Sequence, residues 1–139
     1  MSVETDIVYQ GALHCLATHG PSRATISTDA PKDNGGKGEL FSPTDLVAAA
    51  LGTCILTIMG LAAQRSGLDI SGARVKVSKD MTAAPPRRIA KLAAVVTMPA
   101  GRLFSEEDKR RLERGAEACP VKQSLHPDVR VELSYVWPA

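Results

Sequence analysis

The chain has 139 residues, enough for one domain with a real core, and its 17 basic and 15 acidic side chains, both signs interspersed, leave a formal charge of +2. With one Trp, two Tyr and two Phe, it offers neither the basic footprint of a nucleic-acid or membrane-surface binder nor a stacking platform for single strands, so no nucleic-acid or membrane partner is expected. No basic segment followed by an apolar run opens the chain, and a cytoplasmic protein is expected; three cysteines, Cys15, Cys54 and Cys119, do not make a disulfide framework there.

In chain order, residues 6 to 17 and 23 to 29 read as two strands joined by a turn at His19-Gly20-Pro21-Ser22. Residues 30 to 39 form a loop; it holds Gly35, Gly36 and Lys37, but no Ser or Thr follows the lysine, so a phosphate loop is not expected. Residues 42 to 66 then form a helix: Ser42 can cap it, Pro43 suits its first position, Asp45 stands where a capping-box carboxylate would, and Gly67 stops it. Between Leu46 and Ala63 it carries no charge, and its apolar residues do not keep to one stripe. A helix apolar nearly all round is a membrane span or the centre of a core. Its richness in Ala, Gly and Thr favours a buried central helix, and a chain this short needs a second subunit to help cover it.

Residues 69 to 82 alternate polar with apolar as a half-exposed strand would, Pro85-Pro86 turns the chain, and residues 88 to 98 return as a hairpin partner. Ser105 and the acidic turn after it open an amphipathic helix with Leu112 and Ala116 inward. Pro120 breaks that helix at Cys119 and starts a shorter one to His126, and residues 129 to 137 are the clearest strand. Nothing splits the chain, so a single α+β domain over residues 1–139 is expected.

The chemistry lies with the thiols. Cys119 at a helix cap is expected to favour its thiolate, whereas Cys54, about three turns into its helix, would need an outside cation such as Arg or else be an inert core residue. Cys15, in a strand, reads as structural. His14, His19 and His126 make no metal-ligand spacing with any cysteine, so no metal site or cofactor is expected. A Cys-His nucleophile pair with His126 has nothing to mark an oxyanion hole.

Several stretches together carry a resemblance: Phe41-Ser42-Pro43-Thr44-Asp45-Leu46 through Ala50-Leu51-Gly52-Thr53-Cys54, the Thr28-Asp29-Ala30-Pro31 and Asp33-Asn34-Gly35-Gly36 loop, Pro86-Arg87-Arg88-Ile89, and Cys119-Pro120-Val121 followed by Ser124-Leu125-His126-Pro127. In these the chain resembles the OsmC/Ohr family of cysteine-based peroxidases, over nearly its whole length. The resemblance implies an α+β OsmC-like fold with antiparallel sheets flanking a buried central helix, and an intertwined homodimer with active sites at the subunit interface. It also implies roles in oxidative stress defence: Cys54 as the peroxidatic thiol that becomes a sulfenic acid, Cys119 as the resolving thiol, and a small dithiol or dihydrolipoyl protein as reductant.

The family's Glu near the start of the central helix is replaced here by Thr44, with Asp45 beside it. Asp45 lies nine residues before Cys54, a rotation of about 900° that puts the two on opposite faces, so Asp45 is either that Glu's substitute or a helix cap. Arg23 falls near the family's activating arginine, with Arg87 and Arg88 as alternatives. The catalytic set expected is therefore Cys54, Cys119, Arg23 and Asp45, acting on organic hydroperoxides. The competing expectation is a non-catalytic dimeric module that binds a small hydrophobic ligand at the subunit interface.

Overall fold

The computed structural model describes residues 1–138, as two compact units that divide within the central helix, between Val47 and Ala48. In the first unit, β1 (Thr5–Gly11), β2 (His14–His19) and β3 (Thr25–Thr28) form an antiparallel sheet in that order. The single strand expected over residues 6 to 17 is thus two strands. Gly11, Ala12 and Leu13 all take positive φ, 90°, 54° and 64°, and fold the segment into a tight hairpin. Ala and Leu give no hint of such a turn, because left-handed backbone costs both of them energy.

The loop after β3 holds a short 3-10 helix, Lys32–Asn34, ended by Gly35 at φ 86°. It closes so tightly that a Cβ on Gly36 would fall on the Ala30 carbonyl. Asp29, 1% exposed, organises it: its amide donates to the Phe41 carbonyl at 3.1 Å, and its Oδ2 accepts the Glu39 N–H at 3.1 Å.

α1 (Pro43–Arg65) opens on the expected capping box. The Ser42 N–H donates to Asp45 Oδ2 at 2.9 Å and the Asp45 N–H donates to Ser42 Oγ at 3.1 Å, so each residue satisfies the other's free amide.

In the second unit β4 (Arg74–Met81), β5 (Ile89–Thr97) and β6 (Arg130–Val136) make a sheet in that order, with α2 (Glu106–Glu117) and α3 (Pro120–Ser124) in the connection between β5 and β6. That helical crossover lets β6 run parallel to β5. The second sheet is therefore mixed, where antiparallel pairing throughout was expected. Leu92, Ala94 and Val96 of β5 are buried, as are Leu112 and Ala116 of α2.

Along α1, Ala48, Leu51, Gly52, Ile55, Met59 and Ala63 are buried, a single stripe at helical spacing. The stripe meets β4 at Gly52, where an added Cβ would stand 3.0 Å from Val77 and 3.1 Å from Val75. Glycine lets helix and strand come this close.

Candidate active site

Cys54 and Cys119, set apart by 65 positions, are brought together within the second unit. Gly115 of α2 lies against α1, where an added Cβ would be 3.5 Å from both the Ala62 Cβ and the Ile58 carbonyl. Cys119 follows Gly115 by four residues, just past the end of α2, and Cys54 precedes Ile58 by four residues on α1. The two side chains are hydrogen-bonded to each other.

Cys119 is the last link of one helix and the first of the next. Its N–H donates to the Ala116 carbonyl at the end of α2, and its own carbonyl accepts from the Gln123 N–H in α3, both at 3.1 Å. Pro120 makes this junction: the residue before a proline avoids helical geometry, and Cys119 sits at φ −51°, ψ 122°. The elbow is clamped by Lys122 Nζ on Glu117 Oε2 at 2.7 Å and by Gln123 Nε2 donating to the Glu117 carbonyl at 3.1 Å.

The electrostatics of Cys119 run opposite to the expectation of a favoured thiolate. Burial pushes its thiol pKa up, and the hydrogen bond with Cys54 pushes it further; the Lys122 and Val121 amides pull it down without prevailing. The cap reasoning fails for two physical reasons. A five-residue helix has little dipole to offer, and Cys119 is wholly buried, 0% exposed, where a charge is costly. Cys119 therefore keeps its proton and donates it toward Cys54. Cys54, by contrast, is half-buried. The hydroxyls beside it turn inward on their own helix, Thr53 Oγ1 donating to the Ala49 carbonyl at 2.9 Å and Thr57 Oγ1 to the Thr53 carbonyl at 2.8 Å.

Of the other candidates, Asp45 is the cap of α1, as described. Arg88 is spent on backbone, its Nη1 donating to the Ile89 carbonyl at 3.0 Å and the Asp128 carbonyl at 3.3 Å. Arg23 occupies the β2–β3 turn at φ 63°, its N–H donating to the His19 carbonyl at 2.8 Å. For a non-glycine residue this backbone is uncommon, a feature often met at functional positions. Arg87 lies in the turn between β4 and β5. Cys15, in β2, is a free thiol like the other two.

The family model for OsmC-like proteins matches residues 36–134. Among solved structures, a candidate osmotic stress induced and detoxification response protein from Psychrobacter arcticus 273-4 is 39% identical, with 94% of this chain and 93% of that one covered and a TM-score of 0.88. An organic hydroperoxide resistance protein OsmC from Legionella pneumophila superposes with a TM-score of 0.76 at 17% identity, covering 98% and 97% of the two chains. OhrB of Bacillus subtilis, also an organic hydroperoxide resistance protein, gives 0.69 at 16% identity, covering 97% and 98%. No curated protein matches the chain. Two sheets with a long central helix, a cysteine on that helix facing another before a proline, and a family model spanning most of the sequence lead to one assignment: the chain belongs to the OsmC-like family.

Proposed function

We propose that the protein is a thiol peroxidase of the cytoplasm that reduces organic hydroperoxides and serves in oxidative stress defence. The observation that carries this reading is the meeting of two free thiols, one half-buried and one wholly buried and holding its proton, at a rigid elbow. The relatives described as organic hydroperoxide resistance proteins supply the substrate class.

In the first step the Cys54 sulfur attacks the distal oxygen of the hydroperoxide. The O–O bond breaks, the alkoxide takes up a proton and leaves as the alcohol, and Cys54 becomes a sulfenic acid. Cys119 then attacks that sulfur; a disulfide forms, and the hydroxyl leaves as water with the thiol's proton. A small dithiol or a dihydrolipoyl protein returns both cysteines to thiols and is itself oxidised to a disulfide. Cys119 being protonated and buried keeps it from competing for peroxide, since the thiolate is the nucleophile. Arg23 is the residue we assign to activating Cys54, with Arg87 the alternative, and Asp45 acts through the placement of α1.

The working form we propose is an intertwined homodimer. The first sheet leaves Ile7, Val8 and Tyr9, three consecutive residues and hence both faces of β1, about 60% exposed, and Leu61 of α1 is 43% exposed. Apolar surface of this extent marks an interface.

The reading is tested by following peroxide loss with cumene hydroperoxide and excess dithiothreitol. Steady turnover by the native chain, reduced on the order of 10³-fold in Cys54→Ser, is expected. Turnover that survives Cys54→Ser, or tight retention of an apolar ligand with no turnover, would contradict it.

A further inference from the structure

The thiol chemistry leaves one polar cluster unused, in the first unit. Antiparallel pairing joins Cys15 to Thr28; one step further the same register sets His14, at the start of β2, across from Asp29, just past β3. His14 Nε2 lies 3.1 Å from Asp29 Oδ1. The loop then returns, and the Glu39 N–H docks on the other oxygen, Oδ2. This contact brings the Glu39 side chain to the same spot: one ligand atom each from His14, Asp29 and Glu39 lies within 4.8 Å of the others.

A second observation points to a ligand. Asp29 has a side chain 1% exposed, and its Oδ1 is buried without a hydrogen-bond partner. A buried carboxylate oxygen in that condition is costly unless something else engages it. His14 Nε2 faces it closely without satisfying it, so a nitrogen and an oxygen converge on one point.

We infer that His14, Asp29 and Glu39 form a binding site for a divalent transition-metal ion of the zinc class. One imidazole nitrogen and two carboxylate oxygens suit such an ion, and three protein ligands leave a position open to water. Bonds of about 2.1 Å place ligand atoms about 3.0 to 3.6 Å apart. The His14–Asp29 pair meets this as it stands, and the exposed Glu39 side chain closes the remaining gap by rotating. His14, 32% exposed, and Glu39 give the ion its way in from solvent. The spacing 14, 29, 39 matches no sequence motif, because the three residues meet only through strand register and a returning loop.

The test uses the full-length reduced protein, freed of metal by a chelator and titrated with Co²⁺, whose visible spectrum reports the ligand set. One Co²⁺ per chain is expected, with no sulfur-to-cobalt charge-transfer band. Affinity should fall on the order of 10-fold or more in His14→Gln and also in Glu39→Ala, each checked for native circular dichroism. These side chains are partly exposed, so both variants should fold. Failure to bind Co²⁺, binding that gives the sulfur band, or affinity unchanged in both variants would overturn the inference. None of these outcomes bears on the peroxidase reading, which involves Cys54 and Cys119 alone.

Discussion

Cys119 sits with no exposed surface at an elbow between two helices, whereas Cys54 is half-buried in the middle of one. The two thiols are hydrogen-bonded, yet burial and that very bond hold the proton on Cys119. What the contrast teaches is that a pair of cysteines can be assigned different tasks by position alone. In the proposed cycle the accessible sulfur meets the oxidant, and the buried one waits, protonated, until its partner becomes electrophilic.

The sharpest way to break this comparison is to remove the waiting partner. In Cys119→Ala the first turnover should proceed at a nearly native rate while steady turnover with dithiothreitol falls, on the order of 10-fold or more, and a sulfenic acid on Cys54 should persist long enough to be trapped by dimedone. Equal loss of the first turnover would show that Cys119 takes part in the attack itself.

The next largest effect concerns the placement of Cys54. Gly52, half a turn before it, is the point where α1 meets Val75 and Val77. Gly52→Val should destabilise the fold by about 1–3 kcal/mol through overpacking, read from urea unfolding, and should slow disulfide formation by shifting Cys54. A native midpoint would mean that helix and strand are not in this close contact.

A finer effect lies in the pH dependence of stability. Cys119 has an ordinary value of 9.0 and is raised in the folded chain. Below about pH 9 folded and unfolded chains both hold the proton and this group adds no pH dependence. Above it the unfolded chain releases the proton first, so stability falls as pH rises until the folded thiol also titrates. Tyr135 acts in the same direction at higher pH: burial first, and then the Glu117 and Glu113 carboxylates, raise it from 10.0 to about 12. Cys119→Ala should flatten the alkaline loss that begins near pH 9, and Tyr135→Phe the loss between about pH 10 and 12, each measured by thermal unfolding across that range. Unchanged alkaline slopes in both variants would contradict the assignment.

Much of this architecture was legible before any coordinates. Ser42, Pro43 and Asp45 mark the start of α1, Ser105 that of α2, and Pro120 the break at Cys119, because caps and prolines act locally. Residues whose effect depends on distant neighbours were not legible. Ala12 and Leu13 turn the first hairpin in a backbone that their side chains resist. The parallel docking of β6 depends on the crossover, which a strand pattern does not encode. Burial of Cys119 reverses the pKa direction that its cap position suggested, and a sequence does not show burial at a helix junction. His14, Asp29 and Glu39 have no telling spacing at all. The pairing of Cys54 with Cys119 is implied by the resemblance, and the structure shows the two side chains hydrogen-bonded, with Gly115 seated against Ala62 and Ile58 nearby.

The central claim, that Cys54 and Cys119 act as one unit, is tested most directly by non-reducing peptide mapping with mass spectrometry after one equivalent of cumene hydroperoxide is added to the reduced protein. A rapid Cys54–Cys119 disulfide within one chain is expected, with Cys15 still reduced. Both thiols left reduced, or oxidation confined to Cys15, would contradict it.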